Sequence, residues 1–197
     1  MLRLALLALM ATALAAADPV PPGAKAPAFT LTSAAGASVS LASFAGKTVV
    51  LEWVNYDCPF VKKHYSQGAM PALQAEAAAQ GVVWLSICSS AAGKQGHFAG
   101  EALTARIAAE KAVPAHYLID ADGQVGKAYG ATTTPQMVVI DGVGVVRYHG
   151  AIDSIRSTDA ADVAKAENHV RAALADLAAG RAVATPQTKS YGCGVKY

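Results

Sequence analysis

Cysteine is scarce in this chain: there are three, Cys58, Cys88 and Cys193, and no two have Cys-x-x-Cys spacing. That excludes a disulfide-stapled miniature, a local dithiol motif and a paired-cysteine zinc ribbon. The five histidines form no His-x-His or His-Glu-x-x-His pattern, so a zinc site has no sequence support. "DADG" at 120–123 opens like a calcium loop but lacks the acidic twelfth position, and reads as a turn. Lysine and arginine never cluster densely and the formal net charge is only +2, which excludes an electrostatic nucleic-acid surface. Beyond the N-terminus no run of 18 apolar residues exists, and no internal repeat or low-complexity tract appears apart from an alanine bias.

What is present begins with a leader. Met1–Arg3 is positively charged, Leu4–Leu14 is apolar apart from Thr12, and Ala15-Ala16-Ala17 is a small-x-small cleavage site before Asp18. Residues 1–17 therefore read as a secretory signal peptide, too short for an anchor and ended by Pro19, Pro21 and Pro22. Cleavage leaves 180 residues, enough for one domain with its own core. Export, to the periplasm by this reading, places the thiols in oxidising surroundings, where an odd count leaves at least one unpaired.

Residues 18–27 form a proline-rich lead-in, read as a linker because proline removes ladder donors. "AFTLTSAAGASVSL" from residue 28 reads as a hairpin, and "TVVLEWVN" and "VVWLSI" as buried strands. "HYLID", "PQMVVID" and "VVRYHG" add three strands, with turns at Asp122-Gly123 and Asp141-Gly142. Val61, Tyr65, Ala69 and Ala72 recur at helical spacing, with Lys62, Lys63, Ser66 and Gln67 facing outward and Gly68 and Pro71 bending the helix. Further helices are expected over 101–111 and 159–179, the latter stopped by Gly180. The fold class is α/β, a mixed sheet flanked by helices with an N-terminal β-hairpin extension.

"NYDCPFVKKHY" is the stretch that carries chemistry. A strand ends near Asn55 and a helix begins at Pro59, a residue favoured at the first helical position, so Cys58 lies at a helix N-terminus. The helix dipole and Lys62, Lys63 and His64 favour a thiolate, Asp57 opposes it, and the balance predicts a pKa below the free-thiol value. His64 is six residues from Cys58, not a same-face spacing, and reads as a solvent-facing or interface residue.

The order "VVLEWVNYDCPFVKKHY", "GVVWLSI", "TTTPQMVVIDGVGVVRYHGAID" resembles the thioredoxin fold, specifically the peroxiredoxin-like redoxins of the alkyl hydroperoxide reductase/thiol-specific antioxidant group, over about residues 24–180. The tail "YGCGVKY" resembles that of exported members. The resemblance places Cys58 where thioredoxins carry their first active-site cysteine and Pro135 where they carry the cis-proline facing it. It makes Thr134, exposed beside the sulfur, the backbone partner of an extended substrate, with Pro59 beside it. The chain departs from both patterns: Val61 replaces the second thioredoxin cysteine, and Leu51 and Asn55 stand where peroxiredoxins carry proline and threonine or serine. The implied activity is thiol–disulfide exchange without a cofactor, with weak or no classical peroxidase activity. The partners are a disulfide or peroxide and a thiol reductant.

The partner of Cys58 is Cys193, Cys88 or neither, the last if the tail is simply frayed. From Gly180 to Cys193 is 13 residues, a reach of about 40 Å when extended, and Gly192 and Gly194 free the backbone there. Cys88 ends a strand neighbouring that of Cys58, but has a packing role, which favours Cys193 as the resolving residue of a 181–197 tail. The competing readings are a non-catalytic thioredoxin-fold binding protein, and a copper chaperone using Cys58, His64 and Cys193.

Overall fold

The computed structural model describes residues 19–197; the leader read at 1–17 lies outside them. Two short strands, β1 (Thr30–Ser33) and β2 (Ser38–Ser40), form the expected hairpin. The other strands of the main sheet are β3 (Val49–Trp53), β4 (Val83–Cys88), β5 (His116–Ile119), β7 (Gln136–Ile140) and β8 (Val146–Gly150). A two-residue strand, β6 (Thr133–Thr134), precedes β7, and β9 (Cys193–Gly194) lies in the tail. The main sheet runs β2-β1-β5-β4-β3-β7-β8. It is parallel through β3, β4 and β5 and antiparallel elsewhere, the mixed α/β sheet expected.

β3, β4 and β7 are buried along their whole length, because apolar layers cover both faces. Val50, Trp84, Met137 and Val139 pack on one side with helices α1 (Pro59–Ser66), α2 (Ala69–Ala79) and α5 (His169–Ala178). Val49, Leu51, Trp53, Leu85, Ile87, Val138 and Ile140 pack on the other, against the N-terminal segment and the short helix α4 (Gln124–Ala128). Helix α3 (Gly100–Ala109) adds Leu103 to the first layer.

Four local expectations change. The helix after Cys58 is two helices: Gly68 takes a left-handed φ of +72° that ends the first, so the helical phase does not carry across, and the second buries Met70, Leu73, Gln74 and Ala77 rather than Ala69 and Ala72. Lys63, placed outward by spacing, is buried, because Asp153 reaches it from the loop after β8. The last helix starts ten residues late, at His169, where Asn168 caps it by accepting from Arg171 N at 2.8 Å, and a 3-10 turn occupies 160–162. The proline-rich lead-in is docked: Lys25 bridges to Val145, Gly23 N donates to Val146 O at 2.8 Å, and Val20 is buried.

Glu52, in the middle of β3, is fully buried on the Val50 side. Burial pushes its pKa up, and hydrogen bonds from Trp84 Nε1 (2.9 Å), Ser86 Oγ (2.8 Å), Tyr65 OH (2.9 Å) and Gln74 Nε2 (3.2 Å) partly restrain that rise. The strand thus accepts an acidic residue because α1, α2 and β4 each present donors to it. Glu52→Ala removes one acceptor from several buried donors and should cost about 3 kcal/mol or more, whereas Glu52→Gln should cost less. Urea unfolding midpoints check this; a loss under about 1 kcal/mol for the alanine variant would contradict the network's role.

Candidate active site

Cys58 is the N-cap of α1, with extended backbone (φ −71°, ψ 125°), Pro59 at the first helical position, and its carbonyl accepting from Val61 N and Lys62 N. Its loop is clamped from two sides. Asn55 Oδ1 accepts from Asp57 N at 2.9 Å and Nδ2 donates to Gln95 O at 3.3 Å, so the residue at the peroxiredoxin threonine position ties loops together. Arg106 of α3 donates to Asp57 Oδ1 and Tyr56 O, both at 2.7 Å, and meets Glu110. Asp57, expected to oppose the thiolate, is therefore held in an ion pair by a residue 49 positions away.

The Thr134–Pro135 peptide is cis, and Thr134 O accepts from the Cys58 thiol at 3.1 Å. The sequence reading is right to bring Cys58, Thr134 and Pro135 together, but wrong about Thr134's exposure. Thr134 is only 4% exposed, and its backbone is not free: β6 pairs antiparallel with β9, Thr134 opposite Cys193 and Thr133 opposite Gly194. The tail occupies the edge expected to receive a substrate. Pro59 is exposed at the helix start.

Gln136 holds this edge from behind. Its Oε1 accepts from Thr132 N (3.0 Å) and Thr133 N (3.4 Å), and its Nε2 donates to Gly130 O (3.2 Å). Those contacts fix the amide's orientation, so the contact between Gln136 Nε2 and His149 Nε2 at 3.0 Å requires an imidazole that accepts, that is, a neutral His149. Burial lowers the His149 pKa, consistent with that form.

Cys58 is 0% exposed, and Cys193 is partly exposed beside it. Burial disfavours the Cys58 thiolate. Hydrogen bonds from the Cys193 thiol, the Cys193 and Val61 backbone N–H groups and the Thr134 hydroxyl outweigh it, and the pKa falls below the ordinary thiol value. The Thr134 hydroxyl is buried and has no hydrogen-bond partner while Cys58 donates to the Thr134 carbonyl, which leaves it free to donate to the thiolate. Cys193 moves up to about 11, through burial and through the hydrogen bond and charge of Cys58, with Lys196 partly offsetting this. The lowered pKa agrees with the sequence argument; the cause differs, since Lys63 is committed to Asp153 and His64 is depressed to about 4 by burial and by Lys63, against the pull of Asp153.

Cys88 gives its thiol to Gly96 O at 3.4 Å and stays a packed strand-end residue. His64, expected to face solvent or an interface, is only 3% exposed; its Nε2 lies 3.8 Å from Asp153. Among the described residues, no three His, Cys, Asp or Glu side chains assemble as a metal-ligand group.

A buried cysteine at a strand-to-helix junction facing a cis-proline, on this sheet order, defines a thioredoxin-fold protein. Residues 21–169 match the Redoxin family model, and the chain belongs to the redoxin family. It is similar to a hypothetical protein of Sinorhizobium meliloti 1021 at 29% identity, with a TM-score of 0.76 over 91% of this chain and 96% of that one. An uncharacterized conserved protein of Geobacillus kaustophilus shares 28% identity, with a TM-score of 0.77 over 90% and 92%. A putative thiol:disulfide interchange protein of Chlorobium tepidum shares 25%, with a TM-score of 0.54 over 66% and 84%. No curated protein matches. Among the described residues no helix is long and apolar enough to cross a membrane.

Sequence reasoning missed Arg106, Asp153, Tyr191, Gln136 and His149, and misplaced Lys63. Only "SYGC" gave a signal, an aromatic residue two positions before the tail cysteine. Cys193→Ala removes a hydrogen-bond donor from Cys58, so the midpoint of Cys58 alkylation rate against pH should move up from its wild-type position. An unchanged midpoint would show that Cys193 does not stabilise the thiolate.

Proposed function

We propose that this redoxin is an exported thiol–disulfide oxidoreductase in which Cys58 is the nucleophile and Cys193 the resolving thiol. The single observation that carries the reading is the β6–β9 pairing, which sets Cys193 against Cys58 with the two thiol pKa values displaced in opposite directions. In the disulfide reaction the Cys58 thiolate attacks one sulfur of the substrate, forming a mixed disulfide and releasing the other substrate sulfur as a thiolate, which takes up a proton. Cys193, losing its proton, attacks Cys58 Sγ, releases the second substrate thiolate and closes a Cys58–Cys193 disulfide. Two protein thiols are oxidised and one substrate disulfide becomes two thiols. With a peroxide, attack cleaves the O–O bond to give a Cys58 sulfenic acid and an alcohol or water, and condensation with Cys193 releases water.

A thiol reductant must then reopen the bridge. The likeness to the Chlorobium tepidum interchange protein supports the disulfide branch, as does Asn55, whose side chain is occupied by Asp57 N and Gln95 O instead of facing a peroxide. The leader read at 1–17 supports export to the periplasm, where such a bridge persists.

Peptide mapping without reduction after one equivalent of glutathione disulfide or hydrogen peroxide should recover Cys58 joined to Cys193, with Cys88 free. Cys193→Ser treated with peroxide should leave Cys58 as sulfinic or sulfonic acid. A Cys58–Cys88 bridge, or three free thiols, would overturn the assignment.

A further inference from the structure

The tail is anchored on both sides of Cys193. Upstream, His149 N donates to Pro186 O at 3.0 Å, Thr188 N to His149 O at 3.2 Å, and Ala151 N to Thr188 Oγ1 at 2.9 Å. Downstream, Val195 N donates to Thr132 O at 3.1 Å and Tyr197 OH to Ala131 O at 2.7 Å. Between them, directly ahead of the cysteine, stand Tyr191 and Gly192.

Tyr191 is 5% exposed, and its surroundings come from the helix that carries the nucleophile. Its ring meets Phe60 edge-on, centroids 5.8 Å apart, and Lys63 Nζ lies 5.8 Å from the ring centre. Its hydroxyl donates to Asp153 Oδ1. Asp153 Oδ2 receives Lys63 Nζ at 3.1 Å, and Lys63 also donates to Ile155 O at 2.7 Å. The groups facing this node are Lys63 and His64 from α1, Asp153 from the loop after β8, and Tyr191 from the tail. A buried ammonium and carboxylate must be paired and hydrogen-bonded to be tolerated, so this node is rigid, and Tyr191 is its only link to the tail among the described contacts. Gly192 has φ +143°, and a Cβ there would overlap Thr134 O. The close approach of the tail to the cis-proline edge therefore requires glycine.

We propose that Tyr191, fixed by the Lys63–Asp153 pair, and Gly192, in contact with Thr134, are the positioning residues that seat Cys193 on Cys58 and keep Cys58 covered. The seat has two effects of opposite sign. It hides the sulfur from solvent, and it supplies the Cys193 thiol and N–H that stabilise the thiolate. Lifting the tail therefore makes Cys58 more accessible and less acidic together. This goes beyond the exchange reaction proposed above, resting only on Cys58 as the reactive thiol, and it concerns the reduced protein, so it can fail while the Cys58–Cys193 bridge still forms.

The test is the rate of Cys58 alkylation by iodoacetamide against pH, resolved by peptide mass, in reduced full-length wild type, Tyr191→Phe and Gly192→Ala, with thermal midpoints alongside. Tyr191→Phe keeps the ring and removes the hydroxyl; Gly192→Ala adds the methyl that the edge cannot admit. In both, the high-pH plateau should rise, on the order of tenfold for Gly192→Ala and less for Tyr191→Phe, while the midpoint moves up. A merely structural role would lower the thermal midpoint without shifting the alkylation midpoint, and that result overturns the proposal. So does a raised plateau with an unmoved midpoint, or no change in either variant.

Discussion

Thr134 serves two partners at once, and the site depends on that. Its carbonyl accepts the Cys58 thiol at 3.1 Å, and its backbone pairs with Cys193 across β6 and β9. A single residue next to a cis-proline thereby fixes Cys58, Cys193 and the path of the tail. The rest of the structure supports that residue. Gln136 and His149 hold the edge from behind, while Asn55 and Arg106 hold the loop ahead of Cys58. Behind them lie β3, β4 and β7, buried on both faces.

This arrangement accounts for a site with no local second cysteine. In a Cys-x-x-Cys motif the helix turn brings the two sulfurs together; here Val61 fills that position and contributes its N–H instead. The second thiol arrives through strand pairing. Its approach demands a glycine where a side chain would meet Thr134, and anchors strong enough to order the last twelve residues. The consequence is a Cys58 thiol whose pKa is lowered beside the same tail residue that lies against the buried sulfur.

Much of this was legible in the residues. The predominantly apolar runs at 49–53, 83–88 and 136–140, each with one polar residue, carry the central strands, and Pro59 after Cys58 marks the helix start, because both signals are local. The cysteine, the cis-proline and the tail cysteine could be named. What could not be read were pairings across long separations. Lys63 finds Asp153 90 residues away and Arg106 finds Asp57 49 residues away; helical spacing alone therefore misplaced Lys63 and left Asp57 unneutralised. Thr134 was misread as open because the pattern identified the edge without its occupant. Gly68 shows a smaller failure of the same kind: one left-handed residue reset the helical phase, and the inward face of α2 moved with it.

The central claim is that the tail is a docked strand of the active site, and amide hydrogen exchange of the reduced full-length protein tests it most directly. The structure predicts that Val195 N–H, donated to Thr132 O, and the Cys193 N–H beside Cys58 exchange far more slowly than in an unstructured peptide of the same sequence. Free-chain exchange rates through residues 186–197, with the main sheet still protected, would contradict the account.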